Sequence, residues 1–434
     1  MDATAHIDDL GSFITASPSS YHAAAEVARR LTAAGWTTLD ETADWREVVH
    51  PGSRLVLVRD GAVLAFAVPD RVGPATPFRI LGAHTDSPTF KLKPRPALAS
   101  NGWLQVAVEV YGGPIIASWF DRELALAGRL VTRDGTVHLV NTGPFARIPH
   151  LAIHLDREVN SSFAPDRQRD VQPVFAVDGP DVLAHLAGLA GVPVAEVAGH
   201  DVVAVDSAAP ARFGADRALF AAGRLDNLSS VHAGLTALLD ASAGHEGVAK
   251  AAGVRDGAGR PAIAVLAAFD HEELGSESRS GASGPLLADV LDRVAAALGI
   301  DLARSLPGSW CLSADAGHAV HPNRPEKHDP THRPVLGGGP LLKINANQRY
   351  TTDAIGSALW VRICAAAGVP WQPFVSNNAV PCGSTIGPLT ATRIGIPTLD
   401  VGTPLLSMHS ARELCHVDDP ASLAAAAAVF FTGA

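Results

Sequence analysis

Cysteine is scarce and dispersed in this sequence: Cys311, Cys364, Cys382 and Cys415 are the only four in 434 residues, with no C-x-x-C pair among them. That spacing speaks against a thiolate zinc site and suits reduced thiols in a cytosol. Positive charge is also short, with 34 Lys+Arg against 44 Asp+Glu and a formal net charge of −10. A general attraction to nucleic acid or to an anionic membrane is thereby excluded, and an acidic ligand would need a local cation. No apolar run reaches membrane-spanning length, and MDATAHIDDL lacks the basic-then-apolar order of a secretory leader. Low-complexity tracts and internal repeats are absent as well. These absences predict a cytoplasmic protein without nucleic-acid or membrane partners.

What is present is enough apolar material for a large core. Hydrophobic residues make up 47% and charged residues 18%, a globular balance, and the length calls for one large α/β domain with an insertion or for two domains. Residues 21–35, YHAAAEVARRLTAAG, carry apolar side chains at helical spacing and stop at Gly35. SRLVLVRD, AVLAFAVP and FRILGAHTD read as short strands. From about residue 93 to 215 the pattern turns to alternating segments, LQVAVEVYGG, GRLVTRDG and TVHLVN, which predict antiparallel strands. After residue 216, LSSVHAGLTALLDASA, PAIAVLAAFD, GPLLADVLDRVAAALGI and SWCLSADAGH restore a helix–strand rhythm. AIGSALWVRICAAAG then reads as a helix, TRIGIPTLDVG as a strand and DPASLAAAAAVFFTG as a closing helix. The expected fold is α/β: a mixed, largely parallel sheet flanked by helices, formed by residues 1–92 and 216–434 and split by a β-rich insert at 93–215.

In open α/β sheets functional side chains gather beyond the carboxyl ends of strands. FRILGAHTD delivers His84 and Asp86 there, IAVLAAFDHEE delivers Glu272 and Glu273, and WCLSADAGH delivers Asp315 and His318. Asp226 stands just ahead of a helical stretch, and MHSARE adds His409. Singly, each is explained as a cap, a turn residue or a surface group. Together they satisfy a count, because two tetrahedral zinc ions need about eight ligand positions. One histidine each (His84, His409), one terminal carboxylate each (Asp315, Glu273), and Asp226 with a hydroxide bridging both ions fill them all. Glu272 is then free to act as a base, since adjacent residues at a strand end diverge. Asp86 is placed to accept the hydrogen bond of the His84 nitrogen that faces away from metal. The predicted chemistry is hydrolysis.

Nine blocks in order, LGAHTDSP, WFDRELALAGR, IPHLAIHLDR, RLDN, DHEELGSES, SADAGHAVHPN, KINANQRY, PCGSTIGP and MHSARE, span most of the chain. In these the sequence resembles the aspartyl aminopeptidases. The resemblance implies a dinuclear zinc exopeptidase removing N-terminal Asp or Glu from peptides, with the β-rich insert as a dimerisation domain in a tetrahedral dodecamer. It implies His84, Asp226, Glu273, Asp315 and His409 as metal ligands, Glu272 as general base, and His154, His318, Lys343 and Tyr350 as substrate contacts. Lys343 is the local cation that an acidic substrate needs inside an acidic protein. His154, within the insert, is expected to reach a neighbouring subunit. Nitrogen and oxygen ligands also suit Mn²⁺ or Co²⁺.

The sequence departs from the family at Ala379 and Val380, where many relatives carry an acid before PCGSTIGP, and over residues 164–175, APDRQRDVQPVF. His321, His328 and His332 read as a loop whose histidines cap, stack or touch substrate, because the ligand count is complete without them. Two other functions share these residues: a dizinc amidohydrolase, as a deacylase or carboxypeptidase, and a self-assembling scaffold without activity.

Overall fold

The computed structural model describes residues 2–242 and 261–433. Nine strands form one sheet in the order Thr37–Thr38, Arg54–Arg59, Ala62–Ala67, Ile263–Phe269, Phe78–His84, Trp310–Ala314, Thr398–Gly402, Leu341–Lys343 and Gln372–Phe374. The centre, from Ile263–Phe269 through Thr398–Gly402, is parallel. Antiparallel pairings bring in Ala62–Ala67 on one side and Leu341–Lys343 on the other. Every residue of IAVLAAF at 263–269 is buried, as a strand covered on both faces requires.

Alternation along the strands sorts side chains to two cores. Leu81, Ala83 and Leu266 face a layer built from helices Ala3–Ala16, Ser20–Ala33, Leu225–Ser242, Ala354–Ala367 and Asp418–Phe431. Ile80, Val265 and Ala267 face helix Leu286–Leu298 and its neighbours. Gly234 lets Leu225–Ser242 sit close on the sheet, since a Cβ there would stand 2.7 Å from a Leu266 methyl and 2.8 Å from a Leu81 methyl. That closeness fixes how near the start of this helix comes to the strand ends.

The chain between residues 89 and 206 supplies a second, seven-stranded sheet. Val197–Asp206 pairs with Thr89–Ser100 and also with Glu123–Thr132, closing the sheet on itself around Phe90, Val106, Trp119, Leu126 and Val202. The segments read as antiparallel strands pair that way. A small third sheet joins Ala211–Phe213, Leu219–Ala222 and Glu413–His416. It draws the chain near residue 413 beside the chain that leads into Asp226.

Two readings of the sequence need correction. TRIGIPTLDVG is not one strand: Thr392–Ile394 closes helix Ile386–Ile394, Gly395 caps it at φ +70°, and only Thr398–Gly402 is extended. Gly395 and Pro397 punctuate the run, so its apolar residues belong to two elements. Helix Ala3–Ala16 went unread, although Asp2 caps it and Ile7, Leu10, Phe13 and Ile14 repeat at helical spacing on its buried face. The helix read at 228–243 is found as Leu225–Ser242, and residue 243 lies outside the described residues. No described helix is long and apolar enough to cross a membrane.

Candidate functional site

Strand geometry brings the predicted side chains to one place. Strand Phe78–His84 ends on His84, and Trp310–Ala314 ends one residue before Asp315. Gly402 is required beside Asp315, because a Cβ there would fall on the Asp315 carbonyl oxygen. Strand Ile263–Phe269 gives way to His271 in a left-handed conformation, φ 64°, and a 3-10 turn at Glu272–Leu274. Asp226 opens the buried helix Leu225–Ser242, and His409, also left-handed at φ 65°, sits in the turn before strand Glu413–His416.

His84 Nε2 lies 3.3 Å from Asp226 Oδ1 and 4.0 Å from Asp315 Oδ1. His409 Nε2 lies 3.4 Å from Asp226 Oδ2 and 3.6 Å from Glu273 Oε2. His84–Asp226–Asp315 and Asp226–Glu273–His409 are thus two triads sharing Asp226, with the ligand atoms of each within 4.8 Å of one another. Glu272 joins His84 and Glu273 in a third such group. His84, Asp226 and Asp315 are buried, while Glu272 and His409 are half-buried.

Hydrogen bonds on the outer side orient both imidazoles. His84 Nδ1 is 3.1 Å from the main-chain oxygen of Asp86, and His409 Nδ1 is 3.1 Å from the main-chain oxygen of Gly113. A carbonyl only accepts, so each Nδ1 donates and each Nε2 lone pair is turned toward carboxylate oxygens. The Asp86 carboxylate, 3.5 Å from His84 Nδ1, has other duties. It accepts the N–H groups of Glu272 (3.0 Å) and Glu273 (3.2 Å) and the Tyr111 hydroxyl (2.9 Å). Its hold on two successive amides fixes the turn that aims both glutamates.

Lone pairs facing lone pairs at these distances demand something positive between them. Buried Asp226 Oδ1 and Glu273 Oε1 also lack a hydrogen-bond partner. The acid–base balance of the cluster points the same way. Burial, then the nearby acids, pushes Glu272 up to about 8, and burial and Asp226 hold Glu273 well above the usual range. Burial would lower His409, yet its contacts with Asp226 and Glu273 raise it to about 10. The donor set of imidazole and carboxylate without thiolate fits zinc, and Asp226 is common to both triads.

The predicted substrate contacts divide. Lys343, buried, donates from Nζ to the Ala316 carbonyl at 2.7 Å, stands 3.7 Å from Asp315 Oδ1 and lies 5.3 Å from the centre of the Tyr350 ring. Tyr350 and His318 both pack against Phe374, and His318 also lines a cleft that reaches His409. Val380 borders the same cleft with Ile115 and Met408, so the departure at residues 379–380 presents an apolar wall there. His154 lies in an exposed turn region of the insert, and no described contact joins it to the cluster. Of the histidine-rich loop, the His321 N–H donates to His328 Nε2 and His332 pairs with Asp329, contacts internal to the loop. Sequence reading missed Tyr111 and Glu413; Glu413 was inside the MHSARE block, but only the fold reveals what it touches.

Residues 13–431 match the family of aminopeptidase I zinc metalloproteases (M18). A probable M18 family aminopeptidase 2 from Streptomyces avermitilis is 51% identical over 437 residues, covering 99% of this chain and 98% of the relative. Among solved structures, that of an Ape4 and Nbr1 complex has a TM-score of 0.92 at 34% identity, over 99% of this chain and 86% of that one. The mApe1 dodecamer of S. cerevesiae has a TM-score of 0.85 at 27% identity, over 98% of this chain and 96% of that one. Fold, cluster and relatives define a metal-dependent aminopeptidase. The chain belongs to the M18 family of zinc metalloproteases.

Proposed function

We propose that this aminopeptidase carries two zinc ions and removes Asp or Glu from the unblocked N-termini of peptides. The observation that carries this reading is a buried ammonium, Lys343, set against a cluster in which two histidine–carboxylate triads share one aspartate. His84 and Asp315 would hold one ion, His409 and Glu273 the other, and Asp226 both. Bound zinc supplies Lewis-acid polarisation of the scissile carbonyl and lowers the pKa of a water. Glu272 takes the proton of the attacking water and returns it to the leaving amine nitrogen as the C–N bond breaks. Spare carboxylate oxygens of the cluster favour a free α-amine at the substrate terminus. Lys343 has three donors and spends one on Ala316, leaving others for a substrate carboxylate beside Tyr350 and His318. The four cysteines are unpaired, which fits the cytoplasmic setting expected from the sequence.

Comparing kcat/KM for Asp-, Glu- and Ala-terminated peptides with their N-acetylated forms tests the reading. Unblocked acidic substrates are expected to be preferred, and preference for the blocked forms would instead favour a deacylase. Lys343→Ala is expected to lower kcat/KM on the acidic peptides about 10²-fold, the scale of a charge-assisted contact left unmade, with a much smaller loss on the Ala-terminated peptide. Equal losses would make Lys343 a support for Asp315 instead of a selectivity residue.

The reading includes a homo-oligomer, a tetrahedral dodecamer; the mApe1 structure is itself that of a dodecamer. Leu151, Ile153 and Leu155 are exposed around His154, an apolar surface suited to burial against a second copy. His154 would then act in a neighbour's site. Mixing Glu272→Gln subunits with His154→Ala subunits is expected to restore activity through mixed contacts, and failure of rescue in verified mixed oligomers would remove His154 from that role.

A further inference from the structure

We infer that Glu413 is a positioning residue for the metal centre, a carboxylate that spans the main-chain amides of two ligand residues and thereby sets their separation. Its Oε2 accepts the N–H of Asp226 at 2.9 Å and its Oε1 accepts the N–H of His409 at 2.7 Å. Asp226 and Glu413 are 187 residues apart in the chain, so no local preference of the backbone holds Asp226 near His409. The side chains of these same two residues meet inside the cluster, His409 Nε2 to Asp226 Oδ2 at 3.4 Å. The carboxylate is therefore one side of a closed frame whose opposite side is the pair of ligand atoms.

The placement of Glu413 is itself rigid. Strand Glu413–His416 pairs with Leu219–Ala222 so that Glu413 stands opposite Ala222, four residues before Asp226. Glu413 is 2% exposed. His409 occupies the left-handed region, φ 65°, which a non-glycine residue keeps only when its surroundings impose it; the bond from its own N–H to Glu413 is one such constraint. Both amides served by Glu413 belong to ligands, whereas of the two amides that buried Asp86 accepts only that of Glu273 does. Asp419 offers the contrast: equally buried, it accepts the N–H groups of Gly337 (2.8 Å) and Gly339 (2.9 Å) in a loop outside the cluster.

This inference rests on the reading that the cluster holds zinc, and it is independent of which peptide is cleaved. The test measures zinc affinity of the full chain by competition with a chromophoric chelator, with circular dichroism confirming the fold. Glu413→Gln keeps the shape but turns an NH₂ toward one of the two amides, donor against donor. It is expected to weaken at least one zinc ion by about 10–100-fold, the usual effect of losing a partner behind the ligands. Asp419→Asn is expected to lower the thermal midpoint with zinc affinity unchanged. Glu413→Asp keeps the carboxylate but is a methylene too short to span both amides, so it too is expected to bind zinc more weakly; it serves as the readout should the Gln variant not fold. Zinc affinity within threefold of the parent in a folded Glu413→Gln chain, or full affinity in Glu413→Asp, overturns the inference. A parent chain that binds zinc yet cleaves no peptide would count against the peptidase reading and leave the role of Glu413 standing.

Discussion

Glu272→Gln is expected to lower kcat by about 10²–10⁴-fold, the range over which a positioned acid–base group contributes, while the zinc content of the protein stays at the parent value. The isosteric amide keeps the size and the hydrogen-bonding reach of the side chain but cannot take a proton. Its backbone is held independently of its carboxylate, through the N–H that donates to Asp86 at 3.0 Å, so the substitution leaves the turn in place. Glu273, one residue on, is held by the same Asp86 and faces His409 instead, so the neighbouring acid is already engaged elsewhere. Zinc analysis beside single-turnover kinetics separates the outcomes: loss of rate with zinc retained assigns the proton transfer to Glu272, and retention of more than a tenth of the parent rate moves that role to another residue.

The second large effect is on metal. Asp226→Asn is expected to weaken binding of both zinc ions by at least about 10²-fold, more than the loss typical of a residue behind the ligands, and to leave activity below detection. Among the described residues Asp226 is the one carboxylate whose two oxygens face two histidines, Oδ1 toward His84 and Oδ2 toward His409. The contacts with His409 and His84 hold it below the usual carboxylate range against the opposing effect of burial, so its charge is available where both ions would sit. Removing a terminal ligand should act on one ion only. His409→Ala therefore provides the comparison, with one zinc lost and one kept by metal analysis after dialysis. Should Asp226→Asn also lose just one, the two centres do not share this residue.

Most of the cluster was legible because strand ends announce themselves. An apolar run that stops at a histidine or just before an acid, as FRILGAH and IAVLAAF do, places that side chain at the carboxyl end of a strand whatever the rest of the fold looks like. The two glutamates were readable for the same reason, and their crowding already implied a cation. Punctuation was harder. TRIGIPTLDVG looked like a single run because its apolar residues are evenly spread, yet Gly395 ends a helix and Pro397 separates it from Thr398–Gly402. Partners on the outer side of the site were not legible at all. Asp86 was expected to serve His84 through its carboxylate, whereas its main-chain oxygen makes the 3.1 Å contact and the carboxylate receives the Glu272 and Glu273 amides and the Tyr111 hydroxyl.

The sequence by itself determined the alternation of strands and helices, the side chains available for chemistry and the family to which the chain belongs, since each depends on residue type and near-neighbour spacing. Only the tertiary structure decided that His84 and His409 meet opposite oxygens of Asp226, that an insert residue, Tyr111, reaches Asp86, and that Glu413 joins two ligands by their backbones. Those facts depend on packing distances between segments far apart in the chain, such as the close seat that Gly234 gives its helix and the register of Glu413 against Ala222. Hydrogen bonds to main-chain groups leave little trace in residue order, because every residue but proline offers the same N–H and every residue the same C=O.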